Sequence, residues 1–350
     1  IVDLNNSGQL DFVVGTWDNV NPDSNKVYAY RCSDHSLLWT YPIGDVMYHG
    51  TAVADLDKND KVELVIGSYN DTIYCINGDN GTTKWKYAYA PGYYTGAPVS
   101  IADIDNDDSC EVVFCSYCVV GALSASGHLK WHYDIPNNEQ AFRGVALADI
   151  NNDSYLDVIF ATDGGKVIAL NGNDGSLIWT INLAADYGDS LFSFDNAPIV
   201  ADFANDDSLG IFIVGGHGEY PAFQNDFGRA YMLSAGKGNG PAWSEFQKDI
   251  VRNSSMCGVT TGINEPPQNI ENNSLTVTPN PTNDNITVNT GDLRSTINDI
   301  RIYDIVGNMV FEKNMADYKA SIDVSALPGG VYVVEVKTEK GVSVRRFIKE

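Results

Sequence analysis

The sequence predicts an all-β protein: a β-propeller of four-stranded blades, then a small Ig-like β-sandwich. Three observations carry this. A short apolar strand ending in aspartate recurs at residues 51–55, 99–103, 145–149 and 199–202, with the cut end of a fifth copy at 1–3. A tryptophan recurs in step with it. Beyond residue 265 the acidic bias of the chain fades and a different strand pattern begins.

The repeat is defined by two markers. Asp3, Asp55, Asp103, Asp149 and Asp202 are spaced 52, 48, 46 and 53 residues apart; Trp39, Trp85, Trp131, Trp179 and Trp243 are spaced 46, 46, 48 and 64. Within the second repeat, four strands are expected at 51–54, 63–69, 72–76 and 83–87, with an Asn-Gly-Asp-Asn-Gly turn at 77–81. Four strands in a period of about 40–50 residues is the pattern of a propeller blade. The first strand of each repeat is almost wholly apolar, as an innermost strand buried on both faces must be. With 32 Gly, 19 Tyr and 6 Trp, the composition suits short strands and tight turns.

Between strands one and two lies a recurring acidic turn. In the third repeat it offers Asp103, Asp105, Asp107 and Glu111 at positions 1, 3, 5 and 9; the second offers Asp55, Asp57, Asn59 and Glu63. The fourth offers Asp149, Asn151, Asp153 and Asp157; the first offers Asp3, Asn5, Ser7 and Asp11; the fifth keeps Asp202 and Asp206, with Ala204 and Gly210 in the other two places. Alternate oxygens in a tight loop, closed by a carboxylate from the next strand, suit a hard cation, and Ca2+ takes about 6–8 oxygens at ~2.3–2.6 Å. Ordinary Asx turns would use the same residue types. Three or four calcium ions are expected, held most tightly in the third loop, then the second and fourth, then the first. An EF-hand is disfavoured, because its closing Glu stands at position 12 between helices.

These repeats resemble the FG-GAP and VCBS calcium-binding propeller repeats, and their Asn-Gly…Trp halves resemble the pyrroloquinoline-quinone-type propeller repeat. The resemblance covers roughly residues 1–261. Residues 243–252 look like the segment that often ends such propellers. The family commonly has about seven blades, so the chain is expected to lack its front, and with it any signal peptide.

Residues 262–273 are polar, contain Pro-Pro and read as a linker. Residues 274–350 form the second domain. Seven strands are expected there, at 275–278, 286–289, 297–303, 309–312, 320–324, 330–336 and 342–348. Residues 265–350 carry 12 acidic and 9 basic side chains, so nearly all of the net charge of −24 lies ahead of them. Thr278-Pro-Asn-Pro-Thr-Asn-Asp284, Ile302-Tyr-Asp-Ile-Val-Gly307 and Ile322-Asp-Val-Ser-Ala-Leu-Pro-Gly-Gly-Val-Tyr332 occur in order, ending on Arg345-Arg-Phe-Ile-Lys349. This resembles the type A C-terminal sorting domain of the type IX secretion system of Bacteroidota. The resemblance implies recognition by that secretion machinery, and release from the cell or attachment to its surface.

Several functions are disfavoured. So acidic a chain repels nucleic acid and anionic lipid, and no run of 18 apolar residues exists to span a membrane. There is no HExxH and no GxSxG. Cys115 and Cys118 form a lone CxxC, a weak signal for metal or redox chemistry, and disulfide pairing is not readable. The repeated Trp reads as inter-blade packing. The face opposite the acidic turns collects Trp17, Tyr48, His49, Tyr69, Tyr94, Tyr117, Arg143, Asp163, His217 and Glu219. Aromatic rings beside polar groups suit a carbohydrate or protein ligand. The reading is a secreted, calcium-binding propeller acting in binding or adhesion, without catalytic residues. The alternative is the propeller part of a polysaccharide lyase or hydrolase, or of a quinone-type enzyme.

Overall fold

The computed structural model describes residues 1–18, 20–188, 191–203, 208–219, 221–238, 254–257, 275–290, 296–304, 309–338 and 341–349. The expected linker at 262–273 and the segment 243–252 lie outside them. The chain divides into two compact units, Ile1–Gly262 and Ile263–Glu350.

The first unit is a row of antiparallel sheets, one per repeat. The second repeat forms Ala52–Ala54, Glu63–Gly67, Ile73–Asn77 and Thr83–Tyr87, paired in chain order. The third forms Ser100–Ala102, Glu111–Ser116, Val119–Leu123 and Leu129–Asp134 in the same order. The fourth repeats the pattern with Ala146–Ala148, Asp157–Ala161, Lys166–Leu170 and Leu177–Asn182. The first has three strands, with Val2 bridging Asp11 where a fourth would begin. These are the blades of a propeller. The innermost strands are short and Ala-rich, and their residues are buried throughout, because both faces pack on neighbouring blades.

The tryptophans join blade to blade. The indoles of Trp39, Trp85 and Trp131 donate to the carbonyls of Gly78, Ala125 and Gly172 of the following blade, at 2.8, 2.9 and 2.7 Å. Each ring lies against a turn glycine with positive φ: Gly81, Gly127 and Gly175. A Cβ there would stand 2.5–2.7 Å from the ring, so only glycine supplies both the turn and the space. One Trp per period thus caps one blade and docks the next.

The fifth sheet departs from the pattern. A ten-residue strand, Ser208–His217, takes Phe192–Ser193 and Ile199–Ala201 along one edge and Phe227–Lys237 along the other. A one-turn helix not foreseen in the sequence, Leu183–Tyr187, precedes it; Asn182 caps its start and Gly188 ends it. Residues 254–256 return to the third blade, where Ser255 bridges Ile101 in parallel and Cys257 is disulfide-bonded to Cys110.

Among the described residues, the second unit is a seven-stranded sandwich. Thr276–Thr278, Asn285–Asn289 and Lys319–Asp323 form one sheet. Met309–Asp317, Ile297–Tyr303, Gly330–Thr338 and Gly341–Lys349 form the other, in that order. Alternate residues such as Ile286, Val288, Ile300, Ile302, Val334 and Val336 face inward and fill one core.

Candidate functional site

The four acidic turns share one hydrogen-bond scheme. The position-1 carboxylate (Asp3, Asp55, Asp103, Asp149) accepts from the backbone amides at positions 5 and 6, at 2.6–3.2 Å. The amide at position 2 (Leu4, Leu56, Ile104, Ile150) donates to the position-9 carboxylate at 2.9–3.2 Å. Two residues per turn, at positions 4 and 6, hold positive φ: Asn6 and Gly8, Lys58 and Asp60, Asn106 and Asp108, Asn152 and Ser154. The side chain at position 2 is buried in every case, which fixes the turn to the core.

The turns differ in how charge is balanced. Among the described residues, two groups bring three carboxylates together, with one oxygen of each within 4.8 Å of the others: Asp55, Asp57 and Glu63, and Asp103, Asp105 and Glu111. In both, a lysine from the blade's outer strand enters the cluster. Lys84 Nζ lies 2.5 Å from Asp57 and 2.8 Å from Glu63. Lys130 Nζ bonds Asp105, with Glu111 at 3.0 Å and Asp107 at 3.7 Å. Glu63 and Glu111 are each 1% exposed, so these carboxylates could not remain charged there without a partner. Burial pushes Glu111 up to about 7, opposed by Lys130 and the Ile104 amide. Burial would lower Lys130, but its bonds to Asp105 and Glu111 outweigh burial and hold the ammonium above its usual range.

The lysine precedes the repeat Trp. In the first and fourth blades that place holds Leu38 and Ile178. No ammonium therefore reaches the first or fourth turn from this strand. In the first, Asp11 is fully buried, and its Oδ1, like Asn5 Oδ1, has no hydrogen-bond partner. In the fourth, burial, with Asp153 and Asp149 close by, pushes Asp157 up to about 7 against the Ile150 amide. Asn151 donates to Asp153 at 3.0 Å and to Asp157 at 3.4 Å. The oxygen-only donor set of these turns fits a hard divalent cation. The positive charge already inside the second and third does not. In the fifth repeat Asp202 is exposed, and Asp206 lies outside the described residues.

Sequence reading missed Lys84 and Lys130. The signal was available, since lysine stands before the repeat Trp only where the closing acid is glutamate. The Cys110–Cys257 disulfide, spanning 147 residues, had no signal. Cys115 and Cys118 of the CxxC are free and buried.

On the other side of the blades the expected ligand residues do converge. Trp17, Tyr48, Tyr69, Tyr94 and Tyr117 form a continuous arc, with successive ring centroids 5.0, 6.0, 4.8 and 5.5 Å apart. Gly96 leaves the room, for a Cβ there would stand 2.8 Å from the Tyr69 ring. Tyr94 donates to Gln140 at 2.6 Å. Arg143 lies 5.4 Å over the Tyr48 ring and pairs with Asp195 at 3.0 Å. Burial, then the Arg143 charge, pushes His49 down to about 4, so its ring is neutral at pH 7. Asp163 accepts from the Gln140 amide at 2.8 Å, and burial holds its carboxyl above the usual range. Tyr48, Tyr69, Phe142, Arg143 and Asp163 line a cavity of about 390 Å³. A second, of about 370 Å³, lies beyond Arg143, walled by His49, Ile199, Phe212 and Val214. His217 and Glu219 line neither: His217 stacks on Phe227 at the fifth sheet.

Two family models match parts of this architecture. Residues 276–350 match the secretion system C-terminal sorting domain family, and residues 60–230 match the family described as outer membrane protein assembly factor BamB. No curated protein is significantly similar to the chain. Among solved structures, BamB from Moraxella catarrhalis is 15% identical, with 98% of this chain and 91% of that one aligned and a TM-score of 0.41. The V. cholerae biofilm matrix protein Bap1 is 17% identical, with 99% and 60% aligned and a TM-score of 0.48. The chain thus joins a propeller of the quinone-repeat type to a type IX secretion sorting domain. The sorting domain implies export to the cell surface or beyond. Among the described residues, no helix is long and apolar enough to cross a membrane.

Proposed function

We propose that the propeller is a binding module presented outside the cell, and that the aromatic arc beside the Arg143 cavity takes a neutral carbohydrate. The observation that carries this is the unbroken run of five rings, two of which, Tyr48 and Tyr69, line a cavity with Arg143 and Asp163 at its wall. Ring faces stack on the apolar faces of sugars, while the guanidinium, carboxyl and amide groups meet hydroxyls. A net charge of −24 disfavours a polyanion. The acidic turns that no lysine enters, the first and fourth, are read as structural calcium sites of the FG-GAP and VCBS kind, away from this face. The test is calorimetric titration of the full chain with a panel of neutral oligosaccharides. Tyr69→Ala should weaken binding about tenfold, roughly 1.4 kcal/mol. Binding that ignores Tyr69→Ala and Arg143→Ala, or none across the panel, removes the carbohydrate reading. Turnover of a bound glycan, lost in Asp163→Asn, would replace binding by catalysis.

A further inference from the structure

Two of the four acidic turns already contain a cation: a lysine ammonium. We infer that Lys84 and Lys130 close the second and third turns in place of a metal, so that divalent-cation binding is confined to turns that lack the lysine. The inference rests on the reading of the acidic turns as cation sites and reverses the affinity order that charge counting gives. It stands on geometry repeated in two blades. Each Nζ reaches the acid at position 3 and the buried glutamate at position 9, at 2.5 and 2.8 Å for Lys84 and 3.0 Å to Glu111 for Lys130. Positions 3 and 9 are two of the places from which metal ligands would come. A divalent ion would have to expel the ammonium from beside a glutamate that is 1% exposed. Asp105 Oδ1 is the one buried oxygen in these two turns left without a partner.

The first turn supplies the contrast. Leu38 stands where the lysine would be, and Asp11 Oδ1 and Asn5 Oδ1, at positions 9 and 3, have no partner. A divalent ion can meet those two oxygens without displacing an ammonium.

The test counts bound calcium on the full chain by equilibrium dialysis, with circular dichroism confirming the fold. Asp57→Ala and Asp105→Ala, which remove the ligand oxygens altogether, should leave the count unchanged, and Asp11→Ala should lower it by one. Lys84→Met and Lys130→Met should each raise it by one, by freeing a cage. Loss of an ion from Asp57→Ala or Asp105→Ala overturns the inference, and so does a folded lysine variant that gains none. If the wild-type chain binds no calcium yet each lysine variant gains an ion, the inference stands and the calcium reading of the first turn falls. If a lysine variant does not fold, the Asp57→Ala and Asp105→Ala counts decide alone.

Discussion

The third and fourth turns have the same backbone and opposite solutions to the same electrostatic problem. Both fold a carboxylate onto two amides and bury a second beneath an apolar position-2 side chain. The third then receives Lys130 from the outer strand of its blade and is tied by Cys110 to Cys257. The fourth has Ile178 and Leu156 at the corresponding places. A repeat can therefore keep its hydrogen-bond frame while one residue, two strands away, decides whether its acids are neutralised from within. The motif residues alone therefore do not show how a turn balances its charge; the side chain facing them does.

Removing the internal cation is the sharpest way to break this comparison. Lys130→Met strands Glu111 and Asp105 without a counter-charge and should cost about 3–5 kcal/mol in EDTA. That corresponds to a fall in Tm on the order of 10 °C. Millimolar calcium should recover much of it, whereas the wild-type third turn gains nothing from calcium. Ile178→Lys, the reverse graft, should reduce the calcium response of the fourth turn.

The next effect is a pH slope. Burial raises Asp157 from the ordinary 3.8 to about 7, so between about pH 4 and 7 the folded chain holds a proton that the unfolded chain has lost. Stability without metal therefore falls as pH rises through that window, by at most about 4 kcal/mol, and levels off above it. Asp157→Asn should flatten that part of the curve in thermal melts. Glu111, also pushed up to about 7, adds a slope of the same sign, which Lys130→Met should enlarge.

How much of this was legible follows from the range of the interactions. The blades, their tryptophans and the sandwich strands rest on local periodicity, and the repeat exposes it: Trp39, Trp85 and Trp131 make the same bond in successive blades. The ring arc was legible because one end of every blade collects the same two connections, which placed Tyr48, Tyr69 and Tyr94 together. His217 and Glu219 fell away because the fifth repeat, with its long strand at Ser208–His217, does not keep the blade register. The lysines stand in plain view beside the repeat Trp, but on the blade's outer strand, so no local pattern links them to acids two strands away. The disulfide joins residues 147 apart and depends on a chain return that no local pattern encodes.

That disulfide gives the third test. Cys257→Ser removes the covalent tie between residues 254–257 and the third blade and should cost about 2–4 kcal/mol. The loss should be independent of calcium, unlike that of Lys130→Met. Equal calcium rescue of both variants would mean that the tie and the lysine act through one turn geometry rather than separately.

The smallest effect concerns the tie between the two turns. Asn106 holds φ 55° at position 4 of the third turn, and its Nδ2 donates to the Ser154 carbonyl of the fourth. Asn6 does the same toward Asp60, at 2.6 Å, between the first and second. Asparagine is suited to both tasks, tolerating the left-handed backbone and carrying a donor. Asn106→Gly keeps the backbone and loses only the bond, so it should cost about 1 kcal/mol. Asn106→Ala loses the bond and strains the turn, so it should cost about 1 kcal/mol more. The order of the two variants is the measurement. Alanine below glycine means that the turn's left-handed frame, shared by lysine-closed and open turns alike, is held before any cation is chosen. Equal melts would place the whole contribution in the bond between neighbouring turns, and the third and fourth would then have to be treated as one coupled site.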